Sequence, residues 1–248
     1  MPPASAGDPG PDPGLGPGPD PGPDPGVAPA APPVDLVLPC RDEGPALRTL
    51  LPLVPASLSV IVVDNGSSDD TAEVAAALGA RVVHEPVPGY GAAVHAGLLA
   101  ATADHVAFMD GDGSLVPAQL LPLVEDVVSG RADMAVGRRR PVRGGVWPWH
   151  ARLGNRLILA WLRRRIGTHV HDIVPVRVCG RQALLDLGVE DRRFGYPVEL
   201  LQRMTLAGWR VVEHDVDYLP RAEGTRSKVS GSVRGTARAA RDFWRVLA

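Results

Sequence analysis

Two carboxylates separated by one glycine, Asp110-Gly-Asp112, follow the apolar run His105-Val-Ala-Phe-Met109. In extended chain, residues i and i+2 point to one side with Cα atoms about 7 Å apart, so such a pair can hold one hard cation. Mg2+ and Mn2+ take few protein carboxylates and fill their shell with phosphate oxygens and water. One aspartate is then the direct ligand, and the other acts through water or a bound hydroxyl. A calcium loop starting at Asp110 would want Gly and Glu where the chain has Leu115 and Leu121. Asp-Gly-Asp alone also makes an ordinary turn after a buried strand. Asp64 closes a second apolar run, Leu58-Ser-Val-Ile-Val-Val-Asp64. The turn Pro88-Gly89-Tyr90-Gly91 has the look of a phosphate cradle, but a dinucleotide fingerprint would need a glycine at Val94. No Gly-Lys-Ser/Thr follows any glycine loop either, so the P-loop reading falls as well.

These residues need a scaffold that delivers them to one place. From Val34 the pattern alternates short β-type runs with helical ones, the mark of an α/β domain with a largely parallel sheet flanked by helices. The expected order is strand 35–39, helix 45–53, strand 58–64, a helix capped from among Ser67, Ser68, Asp69 and Asp70, then strand 81–84. Helix 92–101, strand 105–109, helix 117–128 and strand 133–137 follow. Ligands of such sheets sit outside the carboxyl ends of the strands. That draws attention to Cys40–Glu43, Asp64–Ser68, His84–Gly91 and Asp110–Ser114.

Composition sets the frame. In 248 residues, 45% are apolar and 22% charged, and the longest apolar stretch of the Arg-flanked segment is only Leu157 to Leu162, against roughly 20 for a spanning helix. No basic and apolar leader is visible and two cysteines, Cys40 and Cys179, cannot frame a disulfide scaffold. The expectation is a cytoplasmic protein with both thiols reduced and buried as small hydrophobes. Residues 1–33 hold 13 of the 26 prolines, no aromatic residue and no Lys or Arg. They are expected to be a disordered tail, passive or a tether, ahead of one domain over 34–248. Charge is polarised: residues 34–130 carry −10, and residues 131–248 carry +12. The acidic half suits a cation, and the basic half suits a phosphate-bearing partner or an anionic surface rather than nucleic acid.

Taken together, Pro39-Cys-Arg-Asp-Glu43, Val63-Asp64-Asn-Gly-Ser67-Ser-Asp-Asp-Thr71, Gly89-Tyr-Gly91-Ala-Ala and Met109-Asp110-Gly-Asp112 resemble, in order and spacing, the family 2 glycosyltransferases and their GT-A nucleotide-sugar domain. The resemblance spans residues 34 to about 236. It implies that Pro39, Glu43 and Asp64 hold the nucleoside, that Gly91 lines the nucleotide-sugar site, and that Asp110 and Asp112 bind Mg2+ or Mn2+ with the donor diphosphate. Many relatives carry a Lys in the glycine turn where this chain has Val87-Pro88-Gly89-Tyr90. Charge neutralisation is thereby left to the metal and the basic half.

The second half, 138–248, resembles the dolichol-phosphate-mannosyltransferase-like branch. The matching stretches are Gly154-Asn155-Arg156, His171-Asp172-Ile-Val-Pro-Val-Arg177, Arg193-Phe-Gly195-Tyr-Pro197-Val-Glu199 and Arg221-Ala-Glu-Gly224-Thr-Arg226-Ser227-Lys228. Relatives often place an aromatic before the arginine where this chain has Pro175-Val176-Arg177. The resemblance implies catalytic roles for Asp112, Asp172 and Glu199, with Asp172 beside the sugar's anomeric carbon. A structural pairing of Asp172 with Arg177 is the alternative. Arg138, Arg177, Arg226, Ser227 and Lys228 are the implied phosphate and acceptor ligands, since fork, hydroxyl and ammonium donors together grip a phosphate. His169-x-His171 is read as a turn into the acceptor site rather than half of a zinc site. A helix over 151–166 puts Arg152, Arg156 and Arg163 on one stripe and Leu153, Leu157 and Trp161 on another. It either lies on an anionic membrane or packs on the sheet with its arginines solvated or gripping substrate.

The reading that results is a glycosyltransferase moving a hexose from a nucleoside-diphosphate sugar to polyprenyl phosphate or another anionic acceptor, with inversion. A phosphate oxygen is already ionised and attacks without a strong base. A neutral hydroxyl would need Asp172 or Glu199 to take its proton. A nucleotidylyltransferase would show a Gly-rich, Arg/Lys-bearing loop after the first strand, which Pro39-Cys-Arg-Asp-Glu-Gly-Pro45 lacks; a non-catalytic nucleotide-sugar-binding protein would not need the Asp110/Asp112 pair.

Overall fold

The computed structural model describes residues 33–222, so the tail expectation and the Arg226, Ser227 and Lys228 assignments lie outside the described residues. Seven strands form one sheet: β1 (Val34–Cys40), β2 (Leu58–Asp64), β3 (Arg81–His84), β4 (His105–Phe108), β5 (Met134–Pro141), β6 (Val176–Gly180) and β7 (Val211–Tyr218). The helices are α1 (Gly44–Leu50), α2 (Thr71–Ala77), α3 (Tyr90–Ala100), α4 (Leu121–Val128), α5 (Trp149–Ile166), α6 (Arg181–Asp186) and α7 (Tyr196–Leu206).

Period-2 alternation sorts the strands onto two apolar layers. Leu36, Leu38, Val62 and Ala107 pack with Leu47, Val74 and Leu123 on the α1, α2 and α4 side. Val37, Ile61, Val63, Val106 and Phe108 face Val94, Leu98, Leu162 and Leu201 on the α3, α5 and α7 side. A charge inside β1 is satisfied in place, because the buried Asp35 carboxylate accepts the Thr102 and Ala103 amides at 2.6 and 2.9 Å and so seats the start of β4. The expected helices 45–53 and 117–128 each split. A proline has no amide hydrogen, and around Pro52 and Pro117 the chain tightens into the 3-10 turns Leu51–Leu53 and Pro117–Leu120. At α2 the N-cap position falls to Asp70, which pairs with Arg48 and makes no side-chain cap bond, while the carboxylate of Asp69 before it accepts the Thr71 amide at 3.1 Å.

The strand order is β3-β2-β1-β4-β6-β5-β7. Strands β3, β2, β1 and β4 are parallel, and β6 lies antiparallel between β4 and β5. Strand β7 is parallel to β5. This arrangement brings the carboxyl ends of β1, β2, β4, β5 and β7, and the segment entering β6, to one end of the sheet. The expected strand 133–137 continues to Pro141 because β7 supplies a partner as far as Tyr218. Three consecutive arginines, Arg138 to Arg140, are carried to that end on regular strand backbone.

Candidate active site

Between β1 and β2 the loops are stitched by side chains. The Asp64 carboxylate, 9% exposed, accepts the Ser67 amide at 3.0 Å and faces His84 Nδ1 at 3.3 Å. Asn65 donates to the Glu85 and Val87 carbonyls at 2.9 and 2.8 Å and accepts the Gly89 amide at 2.8 Å, fixing the glycine turn over the end of β2. Pro39 sits half-buried beside Val63. Two amides at the end of the glycine turn are engaged within the protein: Gly91 N donates to Arg193 O at 3.1 Å and Ala92 N to Arg192 O at 2.8 Å. A Cβ on Gly91 would sit 2.8 Å from the Arg192 carbonyl carbon, so the residue is glycine to let two backbones approach.

Asp110 and Asp112 follow β4 at the switch between β1 and β4, with Glu43 opposite. Burial and the neighbouring Asp112 push the Asp110 carboxyl above its ordinary range. Burial first, then Asp112 and Asp110, raise Glu43 to about 8. Its Oε2 is buried without a hydrogen-bond partner. Asp112 is 2% exposed; its Oδ1 accepts the Ser114 amide at 2.9 Å and its Oδ2 pairs with Arg221 at 2.8 Å. Crowded carboxyl groups with an orphaned oxygen fit a divalent cation. Among the described residues no three His, Cys, Asp or Glu side chains close around one point, so a hard cation would take few protein ligands and complete its shell from ligand oxygens and water.

Beside the aspartates the end of β5 and one face of α5 enclose a cavity of about 360 Å³. Six arginines line it: Arg138, Arg139 and Arg140 from β5, and Arg152, Arg156 and Arg163 from α5. Arg139, one of the charges acting on Asp110, is held hardest. Its guanidinium lies 4.2 Å from the Trp147 ring centre and 5.3 Å from that of Tyr218, and it forks onto Asp172 with both bonds at 2.8 Å. Asp172 also accepts the amides of Arg139 at 3.1 Å and Ile173 at 2.8 Å, so both its oxygens are doubly occupied. Arg138 and Arg140, on the opposite side of the strand, pair with Asp215 at 2.6 and 2.9 Å.

Several sequence assignments change here. Asp172 pairs with Arg139 and not with Arg177, since strand alternation turns Arg139 toward the segment entering β6. Arg177 is 0% exposed, packed 4.4 Å from the Phe108 ring centre and bonded to Tyr90 Oη at 3.2 Å and Val174 O at 3.0 Å. It braces the start of α3 from inside the fold and lies off the cavity lining. Glu199 is also off it: its carboxylate accepts the Glu190 and Asp191 amides at 3.0 and 2.6 Å and pairs with Arg203, shaping the loop on which Gly91 rests. His169 and His171 lie on irregular chain, with His171 Nδ1 2.7 Å from Glu213, so no strand places both imidazoles on one face. The residues that sequence reasoning passed over are Arg139, Trp147 and Tyr218, while Asn65 and Arg221 fall inside stretches singled out above without a role of their own. Of the three, only Arg139 carried a signal, as the middle member of an arginine triplet on an alternating strand.

The sequence matches the family Glycosyl transferase family 2 over residues 35–188. An uncharacterized glycosyltransferase of Mycobacterium tuberculosis is 56% identical over 215 residues, covering 86% of this chain and 97% of that protein. An undecaprenyl-phosphate mannosyltransferase of Micrococcus luteus is 32% identical over 209 residues, covering 77% and 83%. Among solved structures, glucosyl-3-phosphoglycerate synthase from M. tuberculosis, in complex with Mn2+, uridine diphosphate and phosphoglyceric acid, is similar with TM-score 0.66 and 26% identity, covering 88% of this chain and 78% of that one.

Proposed function

The chain belongs to glycosyl transferase family 2 and has its GT-A fold, and on that premise we propose that it moves a hexose from a nucleoside-diphosphate sugar onto the phosphate oxygen of a polyprenyl phosphate held in the arginine cavity. One observation carries the acceptor assignment. Six arginines line the cavity, while both carboxylates that a neutral hydroxyl would need as proton acceptors are fully engaged: Asp172 by Arg139 and two amides, Glu199 by Arg203 and two amides. An ionised phosphate oxygen needs no such acceptor.

In this reading Asp110 and Asp112 hold the donor diphosphate end, and Glu43, Asp64 and Asn65 shape the nucleoside end. A divalent ion bound by the aspartates supplies charge stabilisation to the departing diphosphate. Arg139, stiffened by Asp172 and by the Trp147 and Tyr218 rings, stands between cavity and donor and orients the attacking phosphate, with Arg152, Arg156 and Arg163 neutralising the rest of its charge. Attack from the cavity side, opposite the diphosphate, inverts the anomeric centre.

The lipid-linked form of the acceptor is supported by α5. At 100° per residue, its buried face holds Leu159 and Leu162 and its cavity face holds the arginines. The third face shows Trp149, Leu153 and Leu157, which are 75%, 46% and 62% exposed. No helix among the described residues is long and apolar enough to cross a membrane, so contact with a bilayer would be peripheral, through this stripe and the flanking arginines. A soluble phosphorylated acceptor is the second reading, favoured by the phosphoglyceric acid bound in the similar synthase. The test supplies a panel of nucleoside-diphosphate sugars with Mn2+ and offers polyprenyl phosphate in vesicles, a short water-soluble prenyl phosphate, phosphoglycerate and the unphosphorylated polyprenol. Transfer to the phosphates, lost when Arg152, Arg156 and Arg163 are all changed to Glu, is expected. Changing Trp149, Leu153 and Leu157 to Ser should impair only the vesicle-borne acceptor. Equal use of polyprenol would sink the phosphate reading, and use of phosphoglycerate alone would establish the soluble one.

A further inference from the structure

We propose that Arg221 is the resident counter-cation of the donor site, and that donor loading is an exchange: a divalent ion takes Asp112, and the released guanidinium takes the donor diphosphate. The inference rests on the donor-site reading above. Asp112 is buried, with Asp110 two residues away and Glu43 across the pocket, and a carboxylate in such company needs a positive partner at all times. Arg221 Nη1 provides it at 2.8 Å from Oδ2, on a side chain that is still 30% exposed. A metal ion and a guanidinium cannot share that oxygen without bringing two cations together.

The backbone around Arg221 explains why the exchange is feasible without unfolding. After β7 the chain is stitched to the aspartate loop by amides, Leu219 N to Ser114 O at 2.9 Å and Ala222 N to Asp112 O at 3.1 Å. Gly113, at φ +77°, lies close enough that an added Cβ would stand 3.2 Å from Ala222 Cβ. The segment is therefore held by its main chain independently of the ion pair, so the exchange requires only rotation of the partly exposed Arg221 side chain from Asp112 to a nearby anion. A planar fork suits diphosphate oxygens. No lysine or arginine stands in the glycine turn Val87-Pro88-Gly89-Tyr90 to perform that task.

A purely structural ion pair and an exchange make opposite statements about the free enzyme. The experiment measures Mn2+ binding without nucleotide, by loss of the free-ion resonance signal, and binding of inorganic pyrophosphate in Mg2+ by calorimetry. It uses the full chain and its Arg221→Gln, Arg221→Lys and Asp112→Asn variants. With the competitor gone, Arg221→Gln should bind Mn2+ about tenfold more tightly and pyrophosphate about tenfold more weakly. Arg221→Lys keeps the charge and loses the fork, so it should fall between; should the Gln variant fail to fold, the rise in Mn2+ affinity from wild type to Lys decides. Unchanged or weaker Mn2+ binding in these variants overturns the exchange, as does wild-type protein that ignores pyrophosphate. Asp112→Asn should lose Mn2+; if it does not, the donor-site reading itself fails, whereas Mn2+ lost in Asp112→Asn and unchanged in Arg221→Gln removes only the exchange.

Discussion

Changing Asp172 to Asn separates a proton acceptor from a group that positions an arginine. The side chain is 2% exposed and accepts four hydrogen bonds, two from the Arg139 guanidinium, one from the Arg139 amide and one from the Ile173 amide. Asparagine keeps one carbonyl oxygen, turns an NH2 toward two of those donors, and leaves the Arg139 charge buried without its counter-ion. Removing one partner of a buried pair costs about 3–5 kcal/mol. For a domain of this size each kcal/mol is worth about 2–4 °C, so Tm should fall by roughly 6–20 °C. Replacing both partners by apolar groups, Arg139→Met with Asp172→Leu, should recover part of that loss, because no charge is stranded although the Arg139 and Ile173 amides lose an acceptor. In steady-state kinetics at a temperature where both variants are folded, the acceptor KM should rise in each, and the shape of the pH–rate profile should not change. An Asp172→Asn enzyme with wild-type Tm and acceptor KM, but with kcat collapsed and the acid limb of its profile gone, would refute the argument and restore Asp172 as the base.

Two further perturbations test the scaffold. Gly97 in α3 lies against the sheet so closely that an added methyl would overlap a Val37 methyl and stand 3.0 Å from Val63 Cγ2; Gly97→Ala should cost about 1–3 kcal/mol through overpacking. Thermal unfolding at the wild-type temperature would show that the helix can retreat. His214 at 2.6 Å and Arg131 at 2.7 Å hold the Asp126 carboxyl below its ordinary value. That stabilisation is present above the unfolded carboxylate range and is lost as pH falls below about 4 through the depressed folded value. Urea unfolding at a series of acid pH values should therefore show a shallower pH dependence in Asp126→Asn than in wild type; parallel curves would show the pair to be idle.

The first half of the fold was legible because its strands are short, apolar and followed by turn residues, and Asp64 and Asp110 sit where an apolar run stops. The second half was read through motifs, and its strands β6 and β7 went unmarked. Val211–Tyr218 alternates with charged residues, Glu213, Asp215 and Asp217, whose partners lie on β5, at His171 and at Gln119 in the 3-10 turn before α4 rather than in any local pattern. The same blindness affected the site. The resemblance implied catalytic roles for Asp172 and Glu199, as proton acceptors if the acceptor is a neutral hydroxyl, with an Asp172–Arg177 pair as the alternative, and made Arg177 a phosphate or acceptor ligand. Which donors saturate Asp172, and whether an arginine faces a cavity or Phe108, depend on tertiary neighbours 33 to 87 residues away, as in Arg139–Asp172 and Arg177–Tyr90, whereas Glu199 is held by residues 4 to 9 positions away whose loop and helix geometry no motif states.

The placement of β6 sets a timetable for the chain as it is made. Strands β1 to β4 can pair as soon as they emerge, since each parallel partner has already been synthesised or follows at once. The open edge of β4, and β5 beyond it, must wait for Val176–Gly180 to insert between them. At roughly 5–20 residues per second the edge of β4 stays uncovered for several seconds while the arginine-rich stretch through α5 is added. During that interval the nascent protein displays an unpaired strand of Val, Ala and Phe, the kind of edge that recruits other chains. The antiparallel strand that later completes the sheet is thus also what ends the period of greatest aggregation hazard, and substitutions that slow its arrival should lower soluble yield before they lower Tm.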